Sequence, residues 1–335
     1  MTPVDKEISA VNAAYSRAYA IYGATFVGQS LAAWQGVQRF SPGGLALMSS
    51  GLVAYTVTAR LALARLALRR AQLVHALETG SQLPGDEIKA RTVQDLRDAF
   101  NDALEAVGAP PAPRARIVNP RTPIRLDATA GSVEGLIEDV NATTQTDVER
   151  TVKRHGETRL VRIAKREGVV SQDEIKKSKS LTASGVERLA LQGGRETDAK
   201  IIQLNKRVLG YVRVHNAVDG DNPCPFCAML MSRGFDYKSK ASASGTWDEA
   251  SQEMKKYHYN CHCTAEPVYS LEKFNSDPAY ELNRRLAQEW QQNISTNYSG
   301  DEMLPAWREH MKSVFADGGR HDAAETDDHA VQEAA

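Results

Sequence analysis

The chain has 335 residues, 42% hydrophobic and 25% charged, with 41 basic against 42 acidic side chains. That composition is globular and excludes whole-chain disorder and collagen-like repeats. The near-neutral balance excludes a generally basic nucleic-acid coat, and four cysteines are too few for a disulfide-dense secreted scaffold of this length.

At roughly 150 residues per domain, the length suits about two domains. The pattern predicts a mainly α fold with an N-terminal helical region (1–109), a Pro-rich linker (110–124) and a central helical block (125–209). A small α+β cysteine-rich module (210–272), a C-terminal helical segment (273–315) and a disordered acidic tail (316–335) follow. Met1 to Lys6 is polar and no short apolar stretch with a small-residue cleavage site follows, so no signal peptide is expected. Ala18 to Gln38 and Phe40 to Ala59 carry no formal charge and are each long enough for a bilayer. Gln29, Gln35, Thr56 and six glycines scattered through them favour buried helices or an oligomer interface over a membrane span.

Tyr15, Tyr19, Tyr22 and Phe26 recur at helical spacing and predict a core-facing stripe. Ser41-Pro42-Gly43-Gly44 splits the segment into two helices. Arg60, Arg65, Arg69 and Arg70 follow in the second helix. They read as a solvated face whose stems cover apolar neighbours, with a weak DNA contact as the functional alternative.

Pro84-Gly85-Asp86-Glu87 predicts a turn into a helix that runs to about Val107, and Gly108 to Pro113 cannot continue it. A second helical block runs from about Ser132 to Leu209, with Ser171 and Glu174 spaced as a capping box. Gly193-Gly194 is expected to interrupt it, with a new helix from Glu196 or Thr197. Gly210 to Val214 suits a short strand, Val268-Tyr269 a second one, and Pro278 to Asn293 a further helix.

The strongest chemical signal is local. Cys224-Pro225-Phe226-Cys227 is a C-x-x-C knuckle, and His258-Tyr259-Asn260-Cys261-His262-Cys263 is an H-x-x-C-x-C cluster. Every cysteine of the chain sits in one of these two groups. A knuckle aims two sulfurs at one point and a second close pair completes a tetrahedron, the geometry and donor set that zinc prefers. Three ligand sets fit the spacing: all four cysteines, three with His258, or three with His262. Four protein ligands would close the site, making it structural. A redox pair or disulfides between the groups are the competing readings.

No Walker A loop, G-x-G-x-x-G fingerprint, H-E-x-x-H or G-x-S-x-G elbow occurs. His75, His155, His215 and His310 are isolated in sequence and read as ordinary histidines, so no catalytic residue is nominated.

The stretch from Asn222 to Gly234 around Cys224 and Cys227, with Tyr257 to Tyr269 around His258, Cys261 and Cys263, resembles the Mu protein F-like (MuF) family of tailed-phage head proteins, in its actinobacteriophage branch. Gly194 to Thr197 and Leu209 to Arg213 resemble that branch's lead-in. The resemblance is good over about 190–270 and looser before it. The polar insert Lys238 to Lys256 departs from the pattern without touching the ligand residues.

The resemblance implies a minor capsid protein of head morphogenesis, found in the procapsid or virion and in the host cytoplasm during assembly. Its implied partners are the portal, the scaffold or the major capsid protein, or further copies of itself, with no membrane. Some family members are labelled capsid maturation proteases, which is the alternative function here, although no protease constellation is visible. The expectation is therefore a non-enzymatic assembly protein with a structural zinc site drawn from Cys224, Cys227, Cys261, Cys263 and His258.

Overall fold

Helix α1 (Pro3–Ala33) begins where the sequence supplies a reciprocal cap. The Asp5 backbone N–H donates to Thr2 Oγ1 at 3.2 Å and the Thr2 N–H donates to the Asp5 carboxylate at 2.7 Å, with Pro3 in the first turn. The computed structural model describes residues 2–34, 42–85, 92–113, 119, 121–127, 130–142, 144–204, 208–216, 222–235, 247–248, 253–254 and 261–315. His258 and the acidic tail 316–335 lie outside the described residues.

The protein is mainly helical, as its composition and periodicity predict. The aromatic stripe of α1 faces inward: Tyr15, Tyr19 and Phe26 are buried. Tyr15 and Tyr19 pack with Leu63, Leu66 and Ala67 of α2 (Pro42–Thr79) and with Leu96, Phe100 and Leu104 of α3 (Val93–Ala106). Helix α3 starts later than expected. Gly85 turns at φ +75°, and the cap is Thr92, paired with Asp95 in a second capping box. Ala109 and Ile124, flanking the Pro-rich stretch, are buried in the same core. Strands β1 (Ser81–Gln82) and β2 (Arg125–Leu126) pair in parallel.

The stretch Met48–Thr79 of α2 is long and apolar enough to cross a membrane, yet half of its most apolar window is buried inside the protein. Two of its arginines correct the sequence expectation. Arg60 and Arg70 are neither a solvated face nor available to DNA, for each is 2% exposed. Arg60 donates to the carbonyls of Val140 (2.8 and 3.0 Å) and Leu189 (3.0 Å) and pairs with Glu196. Arg70 meets Asp198 at 2.8 Å and lies 4.2 Å over the Tyr15 ring. Arginines inside a helical core need such partners, because an unpaired buried charge is costly.

The central block comprises α4 (Leu136–Asn141) and α5 (Thr144–Val152), then a π turn (Lys153–Thr158) into α6 (Arg159–Glu167) and α7 (Gln172–Leu204). Ser171 caps α7 as expected, its Oγ accepting from the Glu174 N–H at 3.2 Å, and the Glu174 carboxylate pairs with Arg159. Gly193-Gly194 does not interrupt α7, contrary to expectation. A Cβ on Gly193 would lie 2.3 Å from the Arg60 carbonyl oxygen, and one on Gly194 2.8 Å from the Tyr19 ring. The glycines let α7 cross α2 and α1 at close range, and tertiary packing overrides their poor helix propensity.

The described residues from Val208 onward form the cysteine module and its buttress. Strand β3 (Gly210–Val214) is followed by α8 (Pro225–Ser232). The two-residue strands β4 (Trp247–Asp248) and β5 (Glu253–Met254) pair with each other, and β6 (Thr264–Val268) pairs antiparallel with β3. Helices α9 (Leu271–Ser276), α10 (Glu281–Trp290) and α11 (Met303–Val314) follow. Leu286, Ile294, Trp307 and Met311 pack under Ala228 and Met231 of α8.

Candidate metal centre

Helix α8 begins at Cys224, whose sulfur accepts from the Cys227 N–H at 3.3 Å, with Pro225 at the first helical position. That cap curls the C-x-x-C stretch so that both sulfurs point the same way. The second group arrives on a strand. Val214 pairs with Thr264 in the β3–β6 ladder, so continuing the antiparallel register by one residue sets His215 beside Cys263. Strand alternation puts Arg213 on the same face as His215.

The result is a sulfur cluster. Cys227, Cys261 and Cys263 are buried at 2%, 4% and 1% exposure, and their Sγ atoms all lie within 4.8 Å of one another. Half-buried Cys224 packs against them. The Cys227 and Cys261 sulfurs are 3.6 Å apart. A disulfide needs about 2.05 Å, and all four cysteines are free thiols. Tetrahedral zinc with Zn–S bonds near 2.3 Å gives sulfur–sulfur edges of roughly 3.8 Å, so the 3.6 Å spacing suits a shared metal ion.

Charge is arranged to match. Arg213, fully buried, donates through Nη2 to Cys261 Sγ at 3.4 Å and Cys227 Sγ at 3.5 Å. Hydrogen bonds from Cys224, Cys261 and Cys263, helped by Arg213, hold the Cys227 thiol well below the usual thiol range. Its partners answer in the other direction: hydrogen bonding to Cys227, with burial added, pushes Cys224 and Cys263 up. Thiols packed together beside Arg213 are the protonated counterpart of a thiolate metal site, because metal binding displaces those protons.

The supporting residues come from three directions. Arg195 of α7 donates to the Cys263 carbonyl at 3.1 Å and to that of Cys261, fastening the second cysteine group to the helical body. Asn283 of α10 donates to the carbonyls of Arg213 (2.7 Å) and Met231 (3.2 Å). Trp307 of α11 donates to the Pro225 carbonyl at 2.7 Å, holding the knuckle.

The structure thus brings together Cys224, Cys227, Cys261 and Cys263. It turns His262 elsewhere: its Nε2 lies 2.9 Å from the Glu187 carboxylate on α7. His215, read as ordinary from its isolation in sequence, is 3.5 Å from Cys263 Sγ through Nδ1. Arg195 and Arg213 were also missed. The spacing from His215 to the end of the predicted strand could have flagged the histidine, but nothing local marks the arginines. Cys227, Cys261 and Cys263 are buried thiols within reach of one another, a setting that suits holding an ion.

The family model described as VG15 protein matches residues 120–293, a span that includes all four cysteines and α7. The chain belongs to the VG15 family. That family is phage-associated, and membership marks the chain as a phage virion gene product. No curated protein and no solved structure matches the chain.

Proposed function

We propose that this VG15 chain is a minor capsid protein of MuF-like character that acts in head morphogenesis near the portal, with a module stapled by zinc. The observation that carries the reading is the cluster of three buried thiols, Cys227, Cys261 and Cys263, inside the region that matches the phage-associated family. Cys224, Cys227, Cys261 and Cys263 would hold the ion. Zinc there would supply no chemistry beyond cross-linking, contributing on the order of 10 kcal/mol to folding where α8 meets the β3–β6 pair. Arg213 would offset part of the excess negative charge of four thiolates. Arg195 would transmit the fixed geometry of the module to α7 and so to the helical body. Such a rigid piece suits docking onto the portal, the scaffold or the major capsid protein, in the procapsid and then the virion.

The test is quantitative peptide mass spectrometry of purified virions. Full-length chain at low copy relative to portal, with an uncut major capsid protein, supports the reading. A trimmed capsid protein with this chain absent or self-cleaved would replace it with a maturation protease.

A further inference from the structure

The chain is close to neutral overall, with 41 basic against 42 acidic side chains, but its charge is not evenly spread. Between Arg150 and Lys179 there are ten Lys/Arg against four Asp/Glu, and no aromatic residue. This stretch is a helical hairpin. Helices α5 and α6, joined by the π turn Lys153–Thr158, run up to a tip at Gly168, and the start of α7 runs back. Arg159 pairs with Glu174 across the hairpin at 2.5 Å, and Ser178 donates to the His155 carbonyl, so the two arms are locked together. Val152, His155, Leu160 and Ile163 are buried beneath it.

The π turn gathers the charges. An α-helix advances about 100° per residue and a π turn roughly 80°. Over the nine steps from Lys153 to Arg162, six π residues therefore cut a separation of about 180° to roughly 60°. Lys153, Arg162 and Lys165 then share one solvent-facing side over a length of about 17 Å, with exposed Glu157 as the one acid of the turn on that side. Lys176 is exposed and Lys179 partly exposed on the adjoining arm. Among the described residues, none of these five forms an ion pair or hydrogen bond. A π turn in a helix is a costly irregularity that recurs at functional sites, and here its effect is to align cations.

We infer that this hairpin is a binding surface for the phosphate backbone of duplex nucleic acid, independent of the metal reading. A row of about 17 Å spans roughly half a turn of B-form duplex, and phosphate contact needs cations alone. The missing aromatics remove the stacking that single strands require. The apolar face of the hairpin is buried, which removes the insertion that a membrane surface requires. Val169 at the tip, 75% exposed, is the one large exposed hydrophobic residue on the hairpin among the described residues, so an apolar protein–protein centre is lacking too. Contacts of this kind read no sequence.

The test is fluorescence anisotropy of the full chain with a labelled 30-base-pair duplex across a salt series. The parent is compared with a Lys153→Gln/Arg162→Gln/Lys165→Gln/Lys176→Gln variant and with an Arg17→Gln/Arg65→Gln control on exposed positions of α1 and α2. Each lost phosphate contact flattens the plot of log affinity against log salt by about one unit. The hairpin variant should therefore lose roughly three to four units of slope and at least about 100-fold in affinity at low salt, with the control unchanged. Should that variant melt early, Arg162→Gln and Lys165→Gln singly should each flatten the slope by about one unit. No binding at low salt, equal loss in the control, or tighter binding of poly-glutamate than of the duplex would overturn the inference.

Discussion

Replacing Gly193 by alanine tests the crossing of α7 over α2, on which the placement of Arg195 depends. Taken alone, Gly→Ala within a helix stabilises by about 1 kcal/mol. At Gly193 the new Cβ would sit 2.3 Å from the Arg60 carbonyl oxygen and 2.6 Å from Arg60 Cγ. Ordinary contact starts near 3.4 Å, so α2 must retreat by about 1 Å, and overpacking of this kind costs about 1–3 kcal/mol. The retreat also pulls on Arg60, whose hydrogen bonds to Val140, Leu189 and Glu196 join α2 to α4 and α7; a charged bond weakened there costs about 1.5–3 kcal/mol. The net expectation, after the propensity gain, is a loss of about 1.5–5 kcal/mol. Gly28 in α1 and Gly51 in α2 are exposed, and a Cβ added at either would meet nothing within 4 Å, so Gly28→Ala and Gly51→Ala should each gain up to about 1 kcal/mol. Urea midpoints by circular dichroism give the comparison, because one chemical change is expected to have opposite signs at different sites. A Gly193→Ala chain as stable as Gly51→Ala would refute the close crossing.

Two further expectations concern buried charge and the metal ligands. Burial pushes the Asp198 carboxyl up to about 6, against the opposing pull of Arg70 and the Tyr15 hydroxyl, with Glu266 sharing the same arginine. The folded chain thus keeps this proton to higher pH than the unfolded chain. Its contribution to stability falls as pH rises from about 4 to about 6, by up to about 3 kcal/mol. Asp198→Asn should lack that slope, and parallel pH–stability curves for the two proteins would reject the assignment. In cobalt-substituted protein, Cys224→Ser should remove about a quarter of the thiolate charge-transfer absorbance while His215→Ala leaves it in place; the reverse pattern would make His215 the fourth ligand.

Chemistry was more legible in the sequence than packing. The C-x-x-C and H-x-x-C-x-C spacings named the cysteines that the fold assembles, because each group is short and its geometry is set within a few residues. Strand β3 and the cap at Ser171 were equally local and equally readable. What stayed hidden depends on partners far away in the chain. Gly193-Gly194 looks like a break until Arg60 and Tyr19 are seen lying against it. Arg60 and Arg70 look like a wet face until Glu196 and Asp198 are placed opposite them. His215 acquires a neighbour through the β3–β6 register, and Arg213 and Arg195 reach the cysteines from a strand and a helix distant in sequence.

The central claim is that the four cysteines hold a structural metal ion. Its most direct test is elemental analysis of the full chain, purified under reducing conditions without chelator, alongside its thermal unfolding. The expected result is about one zinc per chain, lost together with much of the thermal stability in Cys227→Ser and on chelation. A chain that folds metal-free, melts unchanged with chelator and leaves its thiols open to modification would contradict it.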